Sequence, residues 1–250
     1  MAHAVGGLIK FLRMKRAKRI AIMALAMTAT VSAASAQDKV ESNISADFVN
    51  EYIWRGQDLG NVSIQPSASV AYKGLSIGAW GNVGLDKTDT KEFDLTAAYS
   101  ACGFNVGVTD YWFNTGQDPN NRYFLYEAHK TNHIFEGNIG YNMGVMAIQW
   151  YTNFAGNDGK TSKGKRAYSS YVELSAPFKL GGLDWNAALG ASPWETASYG
   201  NSGFAIVNAS IKATKSIALS PSFSVPVFAQ IATNPCSQKA YFVIGFTLHP

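Results

Sequence analysis

The chain has no apolar run close to the roughly 20 residues that a membrane-crossing helix needs. Its longest candidate, Ile20 to Ala29, follows six basic residues (Lys10, Arg13, Lys15, Arg16, Lys18, Arg19) with no acidic one and precedes the small-residue site Ala34-Ser35-Ala36. That pattern predicts a cleaved secretory signal peptide over residues 1–36, with Gln37 as the mature N-terminus. The residue directly after the cleavage site is Gln37 and not cysteine, which argues against a lipid-anchored lipoprotein. Six of the 21 basic residues leave with the signal, so 15 face 17 acidic ones and the mature net charge is −2. Without a basic patch or a matching motif, nucleic acid is not an expected partner.

Histidine is scarce as well. Of four, His3 lies in the signal and His249 at the terminus, which leaves His129 and His133. No serine sits two residues from either, so a membrane-embedded lipid hydrolase lacks a legible nucleophile and base. The same two histidines make a poor metal site. No catalytic residue, metal or cofactor is expected. Cysteine is limited to Cys102 and Cys236.

What the mature chain has in quantity is alternation. In residues 63–85, Ile64, Pro66, Ala68, Val70 and Tyr72 share one parity, with Ser63, Gln65, Ser67, Ser69 and Ala71 on the other. A two-residue turn at Lys73-Gly74 sets Tyr72 opposite Leu75, Val70 opposite Ile77 and Ile64 opposite Val83. The other face pairs Ser69 with Gly78, Ser67 with Trp80 and Gln65 with Asn82, so one register accounts for both faces. Similar runs recur to the end of the chain and predict twelve strands, the first from Ser42 to Arg55. Asp110 falls on the apolar parity, which marks a bulge or a strand end, and Pro66 and Pro226 fall inside strands; Pro226 is read as a bulge and Pro66 as a rim residue.

Connections alternate in length. Tight ones at 73–74, 100–103, 142–145 and 179–182 alternate with longer ones such as 86–91, 114–122 and 155–166 and the link between strands eleven and twelve. An even number of antiparallel strands with short turns at one end and longer loops at the other predicts one all-β domain over 37–250, a closed transmembrane β-barrel. The competing fold is a secreted β-sandwich. Aromatic residues at strand ends on the apolar face and acids in mid-strand on the other favour the barrel. Cys102 and Cys236 would then lie at opposite ends, too far apart to bond.

Tyr52-Ile53-Trp54-Arg55-Gly56, then Gln65-Pro66, then Gly74-Leu75-Ser76-Ile77-Gly78-Ala79-Trp80, resemble the TorF-like putative porin family of small bacterial outer-membrane proteins. In that family the aromatic-x-aromatic-Arg-Gly segment ends the first strand. The resemblance spans residues 44–85 and implies an outer-membrane barrel with lipid and the barrel-assembly machinery as partners, without a substrate. The C-terminus departs from it, ending on His249-Pro250 instead of an aromatic residue.

The polar parity then lines the lumen. It carries seven acids, Asp47, Glu51, Glu92, Asp94, Glu136, Glu173 and Asp184, against two bases, Arg55 and Lys212, with Trp80 and Tyr171 also pointing inward. Such a lining favours passage of small cationic or neutral solutes if it holds water. Two alternatives stay open: an internal salt-bridge network filling a structural or adhesive barrel whose loops bind a ligand outside, and the lipid hydrolase. Twelve strands lie between the filled eight-stranded barrels and the open ones of 16 to 18.

Overall fold

The computed structural model describes residues 39–86, 89, 91–114 and 122–249; the signal segment lies outside them. Fourteen strands follow in chain order: β1 (Glu41–Val49), β2 (Tyr52–Trp54), β3 (Gln57–Gly60), β4 (Ser63–Tyr72), β5 (Leu75–Gly84), β6 (Lys91–Ala101), β7 (Phe104–Asn114), β8 (His133–Asn142), β9 (Ala147–Gly156), β10 (Ser170–Leu180), β11 (Leu183–Ser192), β12 (Ala205–Ala218), β13 (Ser224–Asn234) and β14 (Lys239–Leu248). Twelve of them pair with their neighbours, all antiparallel, and β1 pairs with both β14 and β4, so the sheet closes. The predicted barrel is the fold, and the sandwich is not. β2 and β3 stand apart as a two-stranded hairpin.

Closure follows from what each face carries. Ile44, Val70, Ile77, Val106 and Ile139 are each more than half exposed on the outside, whereas Asn82, Glu92, Asp94, Glu136, Gln149 and Asn208 are buried within. That is the reverse of a water-soluble protein and suits a wall with hydrocarbon outside, where no open sheet edge can be left unpaired. Refolded protein should therefore migrate faster on a gel before boiling than after; a single unshifted band would count against closure.

The β4–β5 register is the one expected, from Tyr72↔Leu75 through Ser67↔Trp80 to Ser63↔Gly84. Gln65 Nε2 donates to Asn82 Oδ1 at 3.0 Å. Lys73 (φ 49°) and Gly74 (φ 87°) turn the chain, as do Cys102 (51°) with Gly103 (84°) and Gly181 (61°) with Gly182 (75°). Positive φ at both central residues is the hairpin turn whose twist matches the strands. The turns at 102–103 and 181–182 are thus two residues long, tighter than the four expected. The two cysteines are free, Cys102 in a tight turn and Cys236 in the link at the opposite end.

Several expectations need correcting. The link between β13 and β14 is only four residues, 235–238, not a long loop. Pro226 makes no bulge, because its ladder to β12 is unbroken and the ladder to β14 begins only at Val227↔Phe246. Pro66, fourth in β4, does lie toward the long-loop end. Asp110 is neither a bulge nor a strand end: it sits within an unbroken β7 on the outer face, where His133 Nδ1 meets its Oδ1 at 2.6 Å and Tyr126 donates to Oδ2 at 3.3 Å.

The largest correction concerns the first strand. It ends at Val49, not Arg55, because Asn50 turns its amide into the β14 backbone, accepting from the Ile244 amide at 2.7 Å and donating to the Phe242 carbonyl at 3.1 Å. The seam between β1 and β14 has just four ladder pairs, Ala46↔Leu248 to Val49↔Gly245. Asn50 extends it with side-chain bonds, and the chain beyond leaves the wall.

Candidate functional site in the lumen

Beyond Asn50 the chain forms the β2–β3 hairpin, with Trp54 paired to Gln57 across Arg55-Gly56. Arg55 (φ 50°) and Gly56 (φ 75°) have the same turn signature as the three tight turns of the wall, but this turn points into the barrel. Gly56 is required there. A Cβ on it would lie 2.0 Å from the Val207 carbonyl oxygen, and its own carbonyl accepts from Asn234 Nδ2 at 3.1 Å. The seat is a β-bulge. Gly190 pairs with Asn208 and Ala191 with Ile206, so Val207 is the extra residue, fully buried instead of facing out as alternation would place it.

The turn projects Arg55 into an aromatic enclosure. Its guanidinium lies 4.3 Å from the Trp54 ring centroid, 3.9 Å from Tyr151 and 4.7 Å from Tyr171, all within cation–π range. Nη1 donates to Glu136 Oε2 at 2.6 Å and to Tyr199 Oη at 2.9 Å, and Nη2 donates to Glu136 Oε1 at 3.0 Å. This is a bidentate, charge-assisted pair, and the side chains of Arg55 and Glu136 are only 9% and 4% exposed. Tyr111 Oη donates to the same Oε1 at 2.9 Å. Tyr171 donates to Glu173 Oε2 at 2.6 Å and accepts from Asn208 Nδ2 at 3.1 Å. Gly190 makes room for that ring, since a Cβ there would lie 1.9 Å from the Tyr171 oxygen.

The hairpin touches the wall on many sides. Tyr52 donates to Glu92 Oε2 at 3.0 Å and packs on Trp80 with ring centroids 5.5 Å apart. Asp94 is buried beside Glu92, and its Oδ1 has no hydrogen-bond partner among the described residues. Contacts thus run from β5 and β6 across to β12 and β13, and the turn bridges the bore. A cavity of about 150 Å³ remains on the long-loop side, with Trp54, Tyr111, Asn153 and Tyr199 in its lining.

The predicted lumen residues therefore divide. Trp80, Glu92, Asp94, Glu136, Tyr171 and Glu173 do face inward and gather around the hairpin. Arg55 is inside too, but at the tip of the plug and not on the wall. Glu51 is not on a strand: it lies in the link to β2, where burial and then Asp58 raise its carboxyl above the ordinary carboxylate range. Asp47 lies farther round the wall, within electrostatic reach of Lys212, whose ammonium sits 3.7 Å from the Phe228 centroid. Asp184 is at the tight-turn mouth, exposed and paired with Lys179, where an ion pair contributes little.

Three tyrosines were missed. Tyr111 and Tyr151 fall on the inward parity of β7 and β9 and were open to the same reading as Tyr171. Tyr199 comes from a loop without periodicity and gave no signal. His133 Nδ1 faces Asp110 of β7, and Nε2 lies 2.6 Å from the Tyr123 carbonyl oxygen, so both ring nitrogens are engaged and the second ties down the 122–132 segment.

No family model matches the chain, and no curated protein matches it. Among solved structures, a Salmonella typhi OmpF complex with daunomycin is similar over 85% of this chain and 98% of that one, at 12% identity and a TM-score of 0.38. A structure from work on in-meso crystallization of membrane proteins is similar over 83% of each chain, at 8% identity and a TM-score of 0.40. The barrel assignment rests on the closed ladder itself: the chain is a twelve-stranded antiparallel β-barrel with an apolar outside and a polar, partly plugged inside.

Proposed function

We propose that the chain is an outer-membrane channel of the TorF-like putative porin type, with its termini and tight turns periplasmic, passing small cationic or neutral solutes when the β2–β3 hairpin leaves the bore. The observation that carries this reading is how the hairpin is held. Beside its ring contacts, the tip is fixed by an ion pair and hydrogen bonds to side chains that line a polar wall, and water can replace those polar contacts as the hairpin leaves. A plug held by apolar packing alone would have no such replacement. The acid-rich wall supports the preference for cations over anions.

The competing reading is a closed structural barrel, and the depth at which Arg55 is buried favours it. Planar-bilayer recording of refolded protein separates the two. Brief, cation-selective openings interrupting a closed baseline are the expected result; a membrane that stays silent for both the native chain and a variant that cannot seat the hairpin would leave only the structural barrel.

A further inference from the structure

We infer that the enclosure around Arg55 is a binding site for guanidinium-bearing solutes, occupied in the resting barrel by the chain's own guanidinium. The inference rests on the channel reading above and names its solute class. The first ground is fit. Tyr151 and Tyr171 on the wall present ring faces at 3.9 and 4.7 Å, Glu136 takes two N–H groups in a fork, and the Tyr199 oxygen takes a third contact. A fork of this shape suits a planar guanidinium and not the point charge of an ammonium.

The second ground is the residue at the turn. The first central position of such a turn favours asparagine, aspartate or glycine, because φ is positive there. Arg55 takes φ 50° there, as Lys73 and Cys102 do in the wall turns, but Lys73 and Cys102 are exposed, whereas Arg55 carries its side chain into the bore and pairs it with Glu136. The third ground is surplus charge. Glu173, one hydrogen bond from the Tyr171 ring that stacks on Arg55, meets no cation among the described residues. The enclosure therefore has two carboxylates for one guanidinium, and a solute that displaces Arg55 enters a site still short of positive charge.

In such a scheme the hairpin and the solute compete for one site. A guanidinium solute arriving from the long-loop side reaches the 150 Å³ cavity that Trp54, Tyr111 and Tyr199 line, next to the enclosure. Binding of that solute releases the turn, and the turn re-enters once the solute has left.

The test uses the full-length barrel refolded in detergent with Arg55→Ala, which empties the enclosure and leaves Gly56 to seat the turn. Ethylguanidinium chloride is titrated while the unfolding temperature is followed. The expected result is a saturable rise in the millimolar range, as befits so small a ligand. Sodium chloride at equal ionic strength and urea, which is planar but neutral, should give none. Adding Glu136→Gln should abolish the rise. Equal stabilisation of the single and double variants, or by urea, overturns the inference. Should Arg55→Ala not refold, Gly56→Val serves instead: it keeps every wall residue, and free L-arginine should stabilise it and not the native barrel. Absence of that difference is equally fatal. Binding is read without current, so a silent bilayer would sink the channel and not the site, while a conducting barrel that ignores ethylguanidinium would do the reverse.

Discussion

Gly56→Val is expected to raise the open probability and mean conductance of the barrel several-fold while leaving its heat-modifiable migration intact. The cause is local. The Cβ that valine adds lies 2.0 Å from the Val207 carbonyl oxygen and 3.2 Å from the Asn208 Cα, both backbone atoms of a bulge whose flanking residues Ile206 and Asn208 are laddered to β11. Neither can give way. The branched side chain is also forced into a φ of 75°, a region nearly closed to valine and costing about 1–3 kcal/mol. The hairpin must then leave its seat, taking Arg55 and Tyr52 with it. None of the twelve wall strands contains residue 56, so the ladder is untouched. Single-channel recording beside the native protein checks this. Native-like current from a folded Gly56→Val barrel would mean that the hairpin does not obstruct the path.

Glu136→Gln should cause the largest loss of stability of any single lumen substitution. It turns a bidentate ion pair into a neutral contact and leaves the Arg55 guanidinium buried. Removing one partner of a buried pair generally costs about 3–5 kcal/mol. Undocking of the hairpin limits the loss, since it lets Arg55 reach water. The expected outcome is therefore a lower urea midpoint together with more frequent openings and a reduced preference for cations. The double variant Arg55→Ala with Glu136→Gln should recover part of the stability, because no charge is then stranded. Urea titration in lipid vesicles measures both. Additive losses would show that the two residues are not coupled.

The wall was legible because its physics repeats. Every strand must turn apolar side chains to one face, so Val70, Ile77 and Val106 report the same alternation, and the β4–β5 register followed from it pair by pair. The hairpin was hidden by that regularity. Tyr52 and Trp54 resume the alternation of Ile44, Ala46 and Phe48 on the same parity, and the family resemblance likewise read Tyr52 to Gly56 as the end of a strand. Only Asn50, out of place on the apolar parity, marked the departure, and its role depends on β14, nearly 200 residues away. The seat at Val207 was beyond a sequence reading for a related reason. A bulge is one residue of excess between two strands, and nothing in Ala205 to Ile211 shows which residue is extra until Gly190 and Ala191 are set beside them.

The site was legible in part. The inward acids were found by parity, but the charges that pair could not be told from those that stand alone, since Glu136 and Glu173 have the same parity. Arg55 marks the difference, and it arrives from outside the wall.

The short seam between β1 and β14 bears on how the ring fails. A closed sheet under lateral tension parts at its weakest joint, and here that joint is four ladder pairs long, while β12 and β13 share ten. Asn50 reinforces the joint from the first residue past β1, two positions before the hairpin begins. A hairpin pulled out of the bore therefore tugs on the stitch that holds the ring shut, and rupture of the barrel and withdrawal of its plug share one mechanical handle.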